Sequence, residues 1–278
     1  MKKKILITGG NGNIACIIKN ELKDIYEITA PTRETLDVLN YDNIKKYLSL
    51  NTFDILVHTA IKGGRRTKEE NGDIVYVNLL MFENILKFAD KFKMIINLDS
   101  GAIYDRNTNI YNRKEDDLFT VPLDYYGFSK YNIYQRSLQY KNVYNFRIFN
   151  IFHPNEEPNR FIKACFNAKK NNTEFIINDD KYFDFIYYID FITIFTYYIN
   201  NFDIPNKQLY KTINISYKNK YKLSDIAKLI ENTGTYKKMN IKVLADNNMN
   251  YCGNNELLNS IVLLNGLEES LKDYNNYI

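Results

Sequence analysis

The chain has 278 residues, of which 45% are hydrophobic and 25% charged, a composition that supports one large globular domain or a domain with a smaller lobe. The formal net charge of +4 is small and no long run of Lys and Arg occurs, so neither nucleic acid nor an anionic membrane is the expected partner. Three cysteines without metal-site spacing, a basic N-terminus followed by too short an apolar run for a signal peptide, and no stretch near the roughly 18 apolar residues of a membrane span predict a cytoplasmic protein with reduced thiols and no metal site.

Apolar runs alternate with amphipathic stretches over the first 150 residues. The predicted strands are residues 4–8, 25–30, 53–58, 94–98 and 143–149, and the predicted helices are residues 14–22, 41–50, 73–92 and 126–140. Buried strands that alternate with amphipathic helices are typical of a parallel sheet covered on both faces. The pattern predicts an α/β fold with a Rossmann-type, doubly wound parallel sheet.

The pattern loosens after Asn150. A loop rich in Pro and Asn is predicted at residues 153–159. Helices are predicted at residues 161–170 and 191–198 and in two stretches after Leu223. Strands are predicted at residues 174–177, 210–215 and 241–244. We therefore predict a dinucleotide-binding domain at residues 1–158, joined by about 185–216 returning to the sheet. A smaller C-terminal substrate-binding lobe would comprise residues 159–184 and 217–278.

A glycine-rich segment joins the first strand to the first helix, with the sequence Thr8-Gly9-Gly10-Asn11-Gly12-Asn13-Ile14-Ala15. A bound pyrophosphate needs close approach of the backbone and the positive end of a helix dipole. Gly9 and Gly12 would supply the turn and the close approach, while Ala15 lets the helix pack against the strand. The context favours a dinucleotide site over a purely structural turn. The predicted contacts are Gly9, Gly10, Asn11, Gly12, Asn13 and Ile14.

The end of the second strand carries Thr32-Arg33-Glu34. An Asp or Glu at this place would bind the free 2′-hydroxyl of NAD, whereas an Arg pairs with the 2′-phosphate of NADP. Arg33 therefore favours NADP(H) as the cofactor, with NAD(H) as the alternative. A solvated surface arginine beside Glu34 is the other interpretation of this residue.

Tyr126 and Lys130 are four residues apart on a predicted helix, which puts them on one face. A nearby cation stabilises phenolate, so the tyrosine can exchange a proton closer to neutral pH. The spacing alone is common in a chain rich in both residues. Ser100 follows the fourth strand, at the sheet edge where open α/β sheets bind ligands, and its hydroxyl would orient a substrate carbonyl. These three residues are the predicted catalytic groups.

Taken in order, these segments resemble the extended short-chain dehydrogenases that act on nucleotide sugars, the NAD-dependent epimerase/dehydratase family. The glycine segment resembles that family's Thr-Gly-Gly-x-Gly-x-Ile-Gly. Residues 36–38 and 53–60 look like its Leu-Asp and Pro-Asp-x-Val-Ile-His-x-Ala-Ala, residues 147–154 match Arg-x-x-Asn-x-Tyr-Gly-Pro, and residues 184–190 are similar to Asp-Phe-Ile-Tyr-Val-Asp-Asp. Residues 32–37, 60–64 and 78–81 look most like the GDP-fucose synthases and related 4-keto-6-deoxysugar reductases.

The resemblance implies roles for several residues. Ser100, Tyr126 and Lys130 would form the catalytic triad, with Lys130 also holding the nicotinamide ribose. Thr59, Ala60 and Asn78 would belong to the cofactor site, with Asn78 bracing it. A nucleotide-diphosphate sugar would be the substrate, deoxysugar or polysaccharide biosynthesis the setting, and a homodimer through the helices at 73–92 and 126–140 the assembly.

The sequence differs from the resembled synthases at three positions that would contact the substrate. Their Cys two residues after the catalytic Ser is Ala102 here, and their His after the Asn-x-Tyr-Gly-Pro loop aligns near Arg160. Their Arg before the Asp-Phe-Ile motif is Phe183, so the nucleotide phosphates would rest on Arg160, Lys181 or another base. The substrate-binding residues predicted are Ala102, Asn150, Arg160 and Lys181.

The two histidines are assigned different surroundings. His58 lies at a strand end and is predicted to pack there rather than act in catalysis. His153 replaces a family Gly and is predicted to be a loop residue, with a contact to substrate as the alternative.

The leading hypothesis is a reductase that uses NADPH on the C4 ketone of a nucleotide-linked 4-keto-6-deoxy sugar. It would not epimerise C3 or C5. The first alternative is an NAD-dependent nucleotide-sugar 4-epimerase with the same triad. The second is a non-catalytic relative of this fold that senses dinucleotides.

Overall fold

The computed structural model describes residues 2–64, 69–234, 239–247 and 249–278. The chain divides into two compact units. Unit 1 comprises Met1–Asp105, Leu118–Arg147 and Tyr210–Ile213, and unit 2 comprises Arg106–Asp117, Ile148–Leu209 and Asn214–Ile278.

The described elements follow one another in chain order. The strands are β1 (Lys4–Thr8), β2 (Glu27–Thr29), β3 (Ile55–His58), β4 (Met94–Ser100), β5 (Ile110–Arg113), β6 (Val143–Ile148), β7 (Ile151–Phe152), β8 (Phe175–Asp180), β9 (Ile186–Tyr187), β10 (Thr212–Ile215), β11 (Ile241–Asp246) and β12 (Tyr251–Gly253). The helices are α1 (Asn13–Leu22), α2 (Tyr41–Leu50), α3 (Asp73–Leu86), α4 (Tyr125–Ser137), α5 (Phe161–Asn171), α6 (Tyr188–Asn201), α7 (Leu223–Glu231), α8 (Glu256–Asn259) and α9 (Leu267–Asn275).

Within the described residues, the main sheet has six strands in the order β10-β6-β4-β3-β1-β2. β1 pairs in parallel with both β2 and β3, and β3 pairs in parallel with β4. The chain moves outward from β1 to β2 and then returns to β3 on the other side of β1. This reversal creates a switch point, where open α/β sheets bind ligands beyond the carboxyl ends of the strands. The predicted Rossmann-type fold is confirmed.

The core of unit 1 forms where the apolar strands meet the apolar faces of the helices. Leu6, Leu56 and Ile95 from three strands join Phe82 of α3 and Ile133 of α4 in one buried cluster. Full burial of a side chain of this size contributes about 1.5–3 kcal/mol, so the sheet and the two helices are fixed against one another largely by such contacts.

A row of buried polar residues runs across the sheet to α4. Thr8 Oγ1 lies 2.9 Å from His58 Nδ1, and Asn97 Nδ2 donates to Asn145 Oδ1 at 2.9 Å. Asn145 Nδ2 then donates to Ser137 Oγ of α4 at 2.9 Å. Buried polar groups stabilise a fold only when they find partners, so these bonds set the position of α4 against the carboxyl ends of the strands.

In its described part, unit 2 contains three small parallel strand pairs and the helices between them. β5 pairs with β12, β7 with β9, and β8 with β11. Its interior is rich in aromatic rings, with the Tyr274 ring centroid 5.6 Å from that of Phe152 and 5.0 Å from that of Phe166. Tilted ring pairs at such distances contribute beyond their buried area, so they order a lobe with little continuous sheet.

Most predicted elements are confirmed, with shifted ends. α3 ends at Leu86 rather than at residue 92, and a 3-10 turn at Ala89–Lys91 follows it. β5, β7, β9 and β12 were not predicted. The compact division places residues 106–117, 148–158 and 185–209 in unit 2, whereas the sequence interpretation joined them to the sheet. The functional assignment of each unit stays a prediction.

Two further predictions concerned reduced thiols and the lack of a membrane-spanning segment. Cys16, Cys165 and Cys252 are free thiols. No helix in the described ranges is both long enough and apolar enough to cross a membrane.

Candidate active site

The glycine-rich segment after β1 has no room for side chains. Gly9 has φ +69°, and a Cβ built on it would lie 2.9 Å from Ala60 Cα. A Cβ on Gly10 would lie 2.2 Å from the Ala30 carbonyl oxygen, and the Gly10 N–H donates to Pro31 O at 3.1 Å. The sequence interpretation assigned the close approach to Gly9 and Gly12. The structure adds Gly10, whose side-chain space is filled by Ala30 and Pro31, just after β2.

The start of α1 offers a cradle for an anion. Gly12 is the N-cap in an extended conformation, and no side chain in the described part of the chain caps this end. Asn11 and Asn13 flank it and are exposed. A helix N-terminus without a cap, beside glycines where any Cβ would clash, fits the pyrophosphate of a nicotinamide dinucleotide. The predicted contacts at Gly9 to Ile14 remain predictions that this geometry supports.

Thr59 and Ala60 close the far side of the cradle. Thr59 Oγ1 donates to the Thr8 carbonyl at 2.6 Å, and the Ala60 N–H donates to Thr8 Oγ1 at 3.4 Å. Since Ala60 also touches Gly9, the ends of β1 and β3 form one wall beside the glycine segment.

Arg33 stands two residues beyond Pro31, the residue that bonds Gly10. Its side chain is 72% exposed, and its Nε lies 3.4 Å from Asp37 Oδ2. An exposed ion pair of this kind contributes little, so a doubly charged phosphate would compete for the guanidinium. The placement supports the predicted 2′-phosphate contact.

Tyr126 and Lys130 lie on the first turns of α4, as predicted. The Asp124 side chain accepts from the Gly127 N–H at 2.8 Å and so caps the helix where the tyrosine sits. Lys130 is buried, its Nζ donates to the Leu98 carbonyl at 2.6 Å, and the same Nζ lies 5.9 Å from the Tyr126 ring centroid. Burial lowers the pKa of Lys130 to about 8, opposed by the nearby Asp99 carboxylate. The ammonium form is therefore still the main one at neutral pH.

Ser100 ends β4 and begins a 3-10 turn that packs on α4. Its Oγ accepts from the Ala102 N–H at 3.2 Å, which leaves the hydroxyl proton to be donated elsewhere. A Cβ on Gly127 would lie 2.8 Å from the Ala102 carbonyl oxygen, so this turn touches the helix directly beside Tyr126. The structure thus brings the predicted triad onto two touching segments.

Three residues that the sequence interpretation left out, or named only as a brace, fix Tyr126. Asn78 of α3 is fully buried, and its amide holds the Lys62 backbone through bonds of 2.8 and 3.0 Å. Asn78 Nδ2 also donates to Ser129 Oγ at 3.1 Å, and Ser129 Oγ donates to the Tyr126 carbonyl at 2.8 Å. At φ +87°, Gly64 lies so close to the Tyr126 ring that a Cβ would come within 2.9 Å of it. The bracing role of Asn78 is visible, while its contact with cofactor stays a prediction.

His58 is packed at the end of β3, in accord with its predicted place. It is 3% exposed, and its ring centroid lies 5.9 Å from that of Phe82. Burial and the Lys130 charge lower the pKa of His58 to about 3. The imidazole is therefore neutral, and it contributes no charge beside Lys130.

In unit 2, two of the predicted substrate residues meet. The Arg160 guanidinium donates to Asn150 Oδ1, and Arg160 Nε lies 3.8 Å from Glu156 Oε2. Burial raises the pKa of Glu156 to about 7, opposed by the Arg160 and Lys163 charges. His153 is buried, with Nδ1 accepting from the Asn155 N–H at 3.2 Å, and its pKa is lowered by burial, Lys163 and Arg160. Glu156 is a titrating group that the sequence interpretation missed.

The segment around Phe183 carries a buried ion pair that the sequence interpretation did not name. Lys181 is partly buried, and its carbonyl accepts from the Leu223 N–H at 3.0 Å. Lys220 Nζ lies 2.8 Å from Asp184 Oδ2, and this carboxylate also accepts from the Gly253 N–H at 2.8 Å. The contact of Lys181 with substrate stays a prediction.

A family model described as the NAD dependent epimerase/dehydratase family matches residues 5–216. The chain belongs to this family. The family is therefore that of the resemblance drawn from the motifs, and its enzymes depend on a nicotinamide dinucleotide.

Three individual proteins are informative relatives. GDP-L-fucose synthase of Azorhizobium caulinodans is 31% identical over 107 residues, which are 37% of this chain and only 34% of that protein's length. A GDP-mannoheptose C4 reductase from Campylobacter jejuni with NADP bound has a TM-score of 0.80 at 18% identity, covering 99% of this chain and 98% of that one. A dTDP-4-dehydrorhamnose reductase from Bacillus anthracis in complex with NADP has a TM-score of 0.81 at 19% identity, with the same coverage. At such identities the two structures show a shared fold.

Proposed function

We propose that this protein is an NADPH-dependent reductase that acts on the C4 ketone of a nucleotide-linked 4-keto-6-deoxy sugar. The observation that carries the proposal is the buried Lys130 ammonium beside the Tyr126 phenol, next to the Ser100 turn. The family membership and the relatives that reduce nucleotide sugars support the same reaction class.

The residues divide the chemistry among them. NADPH, when bound, supplies the hydride. Tyr126 donates its phenolic proton to the carbonyl oxygen, and the Lys130 ammonium stabilises the phenolate that this leaves. Ser100 donates a hydrogen bond to the same oxygen through its hydroxyl proton, while its Oγ accepts from the Ala102 N–H. Lys130 also holds the nicotinamide ribose in this proposal.

The cofactor is NADPH in this proposal because of Arg33. Arg33 lies in the loop whose Pro31 carbonyl accepts from the Gly10 N–H, and its guanidinium forms only an exposed ion pair with Asp37. Two of the structural relatives are described with NADP bound, which supports the choice.

The enzyme leaves C3 and C5 unchanged. Epimerisation next to a ketone needs a base to remove a carbon-bound proton and an acid to return one. Ala102 has no titratable group, and the guanidinium of Arg160 is too basic to release a proton near neutral pH. Tyr126 is already committed to the C4 oxygen.

The test is to supply GDP- and dTDP-linked 4-keto-6-deoxyhexoses with NADPH in heavy water and to examine the products by NMR. We expect one NADPH oxidised per sugar reduced, with solvent deuterium absent from C3 and C5. Deuterium at either carbon at the rate of turnover would refute reduction alone. Product formed without net NADPH consumption would establish the 4-epimerase, and no turnover with tight dinucleotide binding would establish the sensor.

We propose a homodimer through α3 and α4. Tyr76 of α3 is 68% exposed in the single chain, and Tyr125 and Phe128 of α4 are 47% and 38% exposed. Covering such rings is favourable. Light scattering should give twice the chain mass, and Tyr76→Glu should return the mass to that of one chain; a monomeric wild type would end this proposal.

A further inference from the structure

Asp99 and Arg147 form an ion pair in the interior of unit 1. Arg147 Nε lies 2.9 Å from Asp99 Oδ2, and both side chains are fully buried. Arg147 Nη1 donates to the Tyr104 hydroxyl at 2.6 Å, and its guanidinium lies 4.7 Å from the Tyr104 ring centroid and 5.0 Å from that of Tyr134. The arginine is thus held between the turn that follows Ser100 and the helix that carries Lys130.

A buried ion pair is a poor way to gain stability. Removing two charges from water costs several kcal/mol per ion, and apolar side chains of equal volume often serve the fold as well. Asp99 Oδ1 accepts no hydrogen bond from any residue that the structure describes, so the carboxylate is not fully satisfied by Arg147. The pair therefore calls for a reason other than folding.

The place of Asp99 supplies that reason. It lies between Leu98, whose carbonyl accepts from Lys130 Nζ, and Ser100. We propose that Asp99 and Arg147 are positioning residues, in which the Asp99 carboxylate keeps Lys130 charged beside Tyr126 and Arg147 holds that carboxylate in place. The inference rests on the proposed roles of Tyr126 and Lys130.

The other groups around Lys130 do not supply this charge. Tyr126 on α4 is the proton donor of the proposed reaction, and His58 at the end of β3 is held neutral by burial, with its pKa at about 3. Arg147 on β6 is a cation and opposes a second one. Asp99 on β4 is the anion that raises the pKa of Lys130 against burial.

The signs of the expected changes follow. Removing an anion near a cation lowers the pKa of the cation, and removing a like charge raises it. Asp99→Asn keeps Arg147 and loses the carboxylate, so Lys130 should lose its proton at the lowest pH. In Asp99→Asn with Arg147→Met both charges are gone. The loss of the carboxylate dominates the change, because Asp99 is the charge that acts on the pKa of Lys130.

The experiment compares these two variants with the wild type by their pH profiles of kcat in the reduction. We expect the alkaline fall in kcat to move down by about one pH unit in the double variant and further in Asp99→Asn, because a neighbouring charge commonly shifts a pKa by this much. At pH 8 the double variant should turn over about fivefold more slowly, because its charged Lys130 fraction falls from about one half to about one tenth, while near pH 6 it should approach wild type with an unchanged KM.

The double variant separates positioning from folding. Asp99→Asn leaves a buried charge unpaired and should lower Tm or prevent folding, whereas the neutral double variant should recover the wild-type Tm. If the pair is only structural, the double variant recovers the wild-type pH profile as well, and the inference is wrong. A matched control is Asp184→Asn with Lys220→Met, which removes a buried pair from unit 2 and should leave the alkaline limb where it was.

Failure of the inference differs from failure of the proposed function. A fully active Tyr126→Phe would remove the proposed function itself. An inactive Tyr126→Phe with an unmoved alkaline limb in the double variant would remove only the role of Asp99 and Arg147.

Discussion

The residues that hold Tyr126 in unit 1 and the segment 150–163 in unit 2 are two polar regions built on different principles. In the first, the side chains of Asn78 and Ser129 form hydrogen bonds with each other and with backbone groups of Lys62 and Tyr126. In the second, His153 Nε2 and Glu156 Oε1 are buried, and neither has a hydrogen-bond partner among the described residues. A satisfied network holds one geometry, whereas buried groups without partners respond to protons and ligands. The first region suits invariant chemistry, and the second suits whatever distinguishes one substrate from another.

Tyr126→Phe tests the first region at its centre. The change keeps the ring against Gly64 but removes the transferable proton. Turnover should fall by roughly two to four orders of magnitude, the usual contribution of general acid catalysis. Cofactor affinity, measured by fluorescence titration, should barely change. Retention of more than about a tenth of wild-type turnover on the true substrate would take Tyr126 out of the mechanism.

Arg33→Ala tests the predicted cofactor contact elsewhere in unit 1. NADPH binding should weaken by roughly 1.5–3 kcal/mol, the range for a hydrogen bond to a charged group. NADH binding should be nearly unaffected, since NADH has no 2′-phosphate. Calorimetric titration of both cofactors gives the comparison. Equal losses, or none for either, would contradict the 2′-phosphate contact and favour the NAD-dependent 4-epimerase.

Gly64→Ala tests the rigidity of the first region. The new methyl group meets the Tyr126 ring at 2.9 Å, and the residue must keep φ +87°. We expect kcat to fall about tenfold, a barrier increase of about 1.4 kcal/mol, with little change in KM. Gly72→Ala is the matched control, because a Cβ there meets nothing within 4 Å. Equal kcat values for the two variants would show that Tyr126 tolerates displacement.

Residues in local sequence patterns were predicted, whereas residues constrained by distant parts of the chain were not. Gly9, Tyr126 and Lys130 sit in local patterns whose spacing already encodes a turn or a helix face. The steric constraint on Gly10 was missed because it comes from Ala30, in the loop that follows β2. Glu156 was missed because a carboxyl in a Pro- and Asn-rich loop gives no sign of its burial. The spacing of residues along the chain predicts local turns and helix faces, but it does not predict contacts between residues that are far apart in the sequence.

Glu156→Gln tests the second region through stability. The native pKa of Glu156, about 7, lies above the value near 4.3 of an unfolded glutamate, so the native state binds more protons between these values. The stability from this group is complete below about pH 4.3 and is lost as pH rises through 7.

We therefore expect similar Tm values for Glu156→Gln and wild type at pH 4. At pH 8 the variant should be the more stable by roughly 3 kcal/mol, several degrees in Tm for a protein of this size. Thermal unfolding at the two pH values measures the difference, with Glu157→Gln on the neighbouring, exposed residue as control. A constant difference in Tm would show that Glu156 titrates normally.

The pairing of β5 with β12 bears on when unit 2 can fold during synthesis and on whether the two units can be separated by cleavage. The two strands are about 140 residues apart, and the chain passes between the units at residues 105, 117, 147, 209 and 213. On the ribosome, Ile110 must wait for Tyr251 to be synthesised before its strand has a neighbour, and such long-range closure is slow. No single cut releases either unit whole. We therefore expect the β5–β12 pair of unit 2 to form only after residue 253 has been synthesised, whereas every segment of unit 1 is complete at residue 213.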